Sequence, residues 1–69
     1  MNREIMLLCA KLDSLYKECS DASFRLSLAR AKKDSEFTSV YENRLKTLNA
    51  EISMVQAQLK GAFEVIEES

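Results

Sequence analysis

The residues best equipped for chemistry in this chain are two cysteines, Cys9 and Cys19, and three glutamates close together, Glu64, Glu67 and Glu68. A thiolate is a nucleophile and a soft metal ligand, and clustered carboxylates can hold a hard cation. Neither set is spaced for the task. On a helix, ten residues separate the two cysteine Cα atoms by roughly 15 Å, too far for a disulfide and off the i,i+3 or i,i+4 spacing at which helical side chains share a metal. Cys19 is read as a small buried hydrophobe with Cys9 beside it, both consistent with a reducing cytoplasm. The sequence contains no histidine, and it has no CxxC, phosphate-cradling glycine loop or G-x-S-x-G elbow. The glutamates fall in an acidic tail, Glu64 to Ser69, where carboxylates are ordinarily solvated. No catalysis, cofactor or metal is expected.

The basic residues Arg25, Arg30, Lys32, Lys33, Arg44 and Lys46 gather in the middle of the sequence, which leaves open a patch for RNA or for an acidic partner. Asp34, Glu36 and Glu42 lie among them, and the formal net charge is −1, so the chain lacks the positive field that makes nucleic acid or an anionic membrane the default partner. A mixed solvated face accounts for the same charges. The run Met6 to Ala10 after Arg3 is cut by Lys11 and Asp13, too short for an export signal or a membrane span.

The elements that would position any of these groups are helices. There is no proline and one glycine in 69 residues, with abundant Leu, Ala, Glu and Lys, a composition that favours helix over sheet. Apolar or small residues recur at Ile5, Leu8, Leu12, Leu15, Cys19, Ala22, Leu26 and Ala29, in alternating steps of three and four that draw one helical stripe. The pattern returns at Leu45, Leu48, Ile52, Val55, Leu59, Ala62 and Ile66. The two registers do not join: extending the first would put Lys33, Glu36, Val40 and Asn43 on the seam. This phase break predicts an all-α antiparallel hairpin with coiled-coil-like packing, helix one over about 2–33, a turn over about 34–38 and helix two over about 39–67.

Local signals fit that plan. Asn2 can cap helix one, with Glu4 in its first turn, while Lys32 and Lys33 suit its negative end and Asp34 and Glu36 the positive end of helix two. Asp34 or Ser35 can cap helix two early; Ser39 to Glu42 reads as a later capping box. An early start would add Phe37 and Tyr41 to the seam. No glycine follows Lys33 to stop helix one in the usual left-handed way.

A second stripe lies away from the seam. Ala50, Met54, Ala57, Gly61 and Val65 would let another helix approach closely, and Phe24 with Leu28 forms an i,i+4 apolar pair on helix one that could join them. Alanine is also the best helix former, which alone accounts for part of the stripe; Gly61, at a cost of about 1 kcal/mol inside a helix, has no such reason to be there. A lone two-helix seam buries little area, so association with a protein partner or a second copy is expected.

The segment Phe24 to Asp34, in which apolar residues lead into a basic pair and an acidic turn, and the aromatic-started segment Tyr41 to Ile52 resemble the YscE-like co-chaperones of type III secretion needle subunits. The turn differs from some members in lacking glycine. The resemblance implies a cytoplasmic bacterial protein, without activity of its own, bound to a helical-repeat chaperone that holds the needle subunit unpolymerised. Two competing readings are a Rop-like homodimeric four-helix bundle that binds RNA through a basic face and a structural coiled-coil adaptor.

Overall fold

A computed structural model describes residues 2–68, with side chains through Val65. Helix α1 spans Arg3–Ala31 and helix α2 spans Ser35–Glu68, packed along their length in a rod of 54 × 16 × 11 Å. The fold is the antiparallel helical hairpin that the phase break predicts.

Every α1 seam residue named above is buried or half-buried, and so are Leu45, Leu48, Ile52, Val55, Leu59 and Ala62 of α2. Ile66 lies outside the described side chains. Leu15, Ala22, Leu48, Ile52 and Val55 form the centre, flanked by Leu8, Leu12, Cys19, Tyr41, Leu45 and Leu59. No polar or charged side chain is buried among the described residues. One strip of apolar contact therefore does the work of a core.

The turn sits earlier and is tighter than the 34–38 expected. Helix α1 ends at Ala31, and the chain reverses through Lys32, Lys33 and Asp34. Lys33 takes the left-handed conformation at φ 59°. Its N–H donates to the Arg30 carbonyl at 3.1 Å and the Asp34 N–H to the Ala29 carbonyl at 2.9 Å, the paired bonds of a Schellman stop. A lysine thus occupies the position usually given to glycine.

Asp34 then opens the next helix. Its Oδ1 accepts from the Phe37 N–H at 3.1 Å, and its carbonyl accepts from the Thr38 N–H at 3.0 Å and the Thr38 hydroxyl at 2.7 Å. Helix α2 consequently begins at Ser35 and not near 39; Ser39 lies inside it, because the cap at Asp34 starts the helix a turn earlier and the amides that a later cap would serve then bond to carbonyls of that first turn. The early start brings Tyr41 half into the seam, but Phe37 stays 56% exposed and stacks on Tyr41 with ring centroids 6.5 Å apart. At the other end Asn2 caps α1, its Oδ1 accepting from the Glu4 N–H at 2.8 Å.

Candidate protein-binding surface

With the seams facing each other, each helix has three exposed aspects: two flanks beside the partner helix and an outer edge pointing away from it. The sequence assigns residues to these by sevens. On α1 one flank carries Glu4, Lys11, Glu18 and Arg25, continued by Lys32 at the turn, and on α2 the matching flank carries Phe37, Arg44, Glu51, Gln58 and Val65. Three surface grooves join these two series. One of about 250 Å³ brings Arg25, Leu28 and Lys32 together with Phe37 and Tyr41 near the turn. A second sets Glu18 beside Val40, Arg44, Thr47 and Glu51, and a third sets Glu4 beside Gln58, Gly61 and Val65. These residues share one broad face of the hairpin.

The opposite face is defined by different contacts. Gln56 donates to the Tyr16 hydroxyl at 3.0 Å across the two helices, and the Cys19 thiol lies 4.0 Å from Asn49 Oδ1. Phe63, 50% exposed, lines a groove on this side with Gln56 and Lys60. The seam periodicity does not point to the Tyr16–Gln56 bridge, since neither residue falls on the seam. Their matching offset of one residue after a seam position was the available signal.

Ala50, Met54, Ala57, Gly61 and Val65 are all exposed, as are Phe24 and Leu28. They do not form one surface. Ala50 and Ala57 mark the outer edge of α2, Phe24 marks the outer edge of α1, and those edges point in opposite directions. Leu28 lies instead on the grooved face, as do Met54, Gly61 and Val65 through their seven-residue relation to Val40, Thr47 and the Phe37 series. Phe24 therefore cannot join the α2 stripe beneath a single partner helix. Nothing in the hairpin demands a glycine at 61: a Cβ built there meets no atom within 4 Å.

Electrostatics here are local. Arg25 Nε donates to Asp21 Oδ2 at 3.0 Å, one turn back along α1. Its guanidinium is held above its ordinary range first by hydrogen bonding to Tyr41 and then by the charge of Asp21. A basic residue near the turn is thus already engaged by its own chain. Among the described residues no group of three or more potential metal ligands assembles, Cys9 and Cys19 are both free thiols, and no helix is long and apolar enough to cross a membrane. Compared with known proteins, the chain matches no family model, no curated protein and no solved structure.

Proposed function

We propose that the chain is a non-enzymatic helical hairpin that acts by binding another protein, and that it serves as a YscE-like cytoplasmic co-chaperone, helping a helical-repeat chaperone hold a type III secretion needle subunit unpolymerised. One observation supports the binding role most directly. The seam is already filled by its own helices, yet large apolar side chains remain on the outside, from Leu28 at 44% exposed to Val65 at 68%. A hairpin this narrow cannot fold them in. The specific partner rests on the resemblance in the segments Phe24 to Asp34 and Tyr41 to Ile52.

The test is reconstitution: the chain is mixed with a helical-repeat chaperone and a needle subunit, and complex formation is followed by size exclusion with mass detection. A stable ternary complex is expected, lost with Ala57→Glu, which puts a charge on the α2 edge while keeping a good helix former. Phe24→Ala, on the opposite edge, should bind nearly as well as the parent. The RNA reading is served by the basic residues near the turn, and it predicts the reverse: strong loss with Lys46→Glu and none with Ala57→Glu. Failure of any chaperone and needle pair to bind would overturn the co-chaperone assignment.

A further inference from the structure

We infer that the grooved face is a self-association surface, on which a second copy of the hairpin docks antiparallel in one register to make a four-helix bundle. This goes beyond the proposed function, since it concerns the chain alone.

The area comes first. A compact protein of 7.9 kDa exposes about 4,400 Å² by the usual mass scaling, whereas this hairpin exposes 5444 Å². The surplus, about 1,000 Å², is on the order of the ~800 Å² that each partner contributes to a standard interface. The exposed apolar side chains are unevenly distributed. Leu7, Leu28, Phe37, Val40, Met54 and Val65, the majority of the exposed large hydrophobic side chains, fall on the grooved face by their seven-residue spacing. The opposite face holds Met6, Tyr16 and Phe63, with Tyr16 already bonded to Gln56.

Charge then selects the geometry. The grooved face carries Lys11, Arg25, Lys32 and Arg44 against Glu4, Glu18, Asp21 and Glu51, so it is neutral and can be complementary to itself. Stacking two such faces about a two-fold axis across the rod lays α1 antiparallel on its own copy, and contacts then occur in reciprocal pairs. Registers that keep the flank aligned differ by whole heptads. Centring the axis near Glu18 sets Glu18 against Glu18 and Lys11 against Arg25. Centring the axis near Lys11, two heptads of register away, opposes Lys11 to Lys11 and Glu4 to Glu18. Centring it between Ser14 and Leu15 instead sets Glu4 against Arg25 and Lys11 against Glu18, opposite charges throughout. On α2 the same axis brings Val40 near Val65 of the other copy and Glu51 beside its Met54. Arg25 keeps its bond to Asp21, because a guanidinium has donors for both.

Sedimentation equilibrium of the full chain tests this. A dimer is expected, and Glu18→Lys, which turns both Lys11 contacts repulsive, should weaken it roughly five- to tenfold. Lys11→Glu should do the same, and the double variant Lys11→Glu, Glu18→Lys should restore the parent affinity. Both positions are exposed, so circular dichroism should show unchanged helicity. Ala57→Glu lies off this face and should dimerise normally, so its effect on chaperone binding is read separately. With Cys9 and Cys19 replaced by serine, spin labels at Ser14 should lie within roughly 20 Å of each other across the dimer, and labels at Glu36 roughly 55 Å apart. A chain that stays monomeric to about 1 mM, indifference to both single charge swaps, or close approach of the Glu36 labels would each overturn the proposal.

Discussion

Asp34 and Lys33 show how much of the hairpin rests on two adjacent side chains. Asp34 finishes one helix with its N–H and starts the next with its carboxylate and carbonyl. Asp34→Ala should therefore lower stability by about 1 kcal/mol, the usual loss for an N-cap aspartate, read as a shift in the urea midpoint. Lys33 bears a Cβ in the left-handed region, where an L side chain is disfavoured by roughly 1 kcal/mol. Lys33→Gly relieves that contact at some entropic cost, and a net gain of about 0.5–1 kcal/mol is expected by the same measurement. A loss would mean that Lys33 makes a contact worth more than its strain. Gly61 offers the complementary case: it is helical, with open space where a Cβ would sit, and Gly61→Ala should stabilise the isolated hairpin by about 0.5–1 kcal/mol.

Within the helices, stability depends on a strip one residue wide on each side. Leu48 is 4% exposed and Val55 2%, and both contact the opposing helix at the centre of the rod. Leu48→Ala removes about 2–4 kcal/mol of burial and packing, a large share of what so short a seam can supply. Thermal unfolding followed at 222 nm should shift to much lower temperature or lose cooperativity. Tyr16→Phe gives the contrast, because the Gln56–Tyr16 bond is exposed to water, where such a bond contributes at most about 0.5 kcal/mol. If the two variants cost the same, side-chain bridging between the flanks would outweigh the apolar strip as the source of hairpin stability.

For the molecule as a whole, length without thickness is the governing fact. A rod 16 × 11 Å across has no interior beyond the contact line between its helices, so apolar side chains off that line remain in water. Folding then benefits from anything that binds the native hairpin and not the unfolded chain. The melting temperature should accordingly rise with protein concentration or with added partner. A melting point unchanged over a hundredfold range of concentration, in a highly stable monomer, would contradict this.

The alternation of three- and four-residue steps from Ile5 to Ala29 and from Leu45 to Ala62 determined the two helices, their facing seams and the existence of a reversal, because burial follows helical periodicity wherever a single strip must be shielded from water. Asn2 and Asp34 were readable as caps because the chemistry of a cap is local. Whether helix two is capped at Asp34 or at Ser39 was not, since both segments carry competent capping groups, and the bonds that Phe37 and Thr38 make to Asp34 decided it. A lysine in the left-handed position leaves no signal in sequence, for that conformation is imposed by closure of the turn and not by the residue. The outer stripe shows the same division. Spacing placed Ala50 to Val65 and Phe24 to Leu28 off the seam, but only the packing of α1 on α2 decided which flanks share a face, setting Leu28 beside Phe37 and Phe24 on the far edge, because the relative rotation of two helices is a property of their contact and of neither alone.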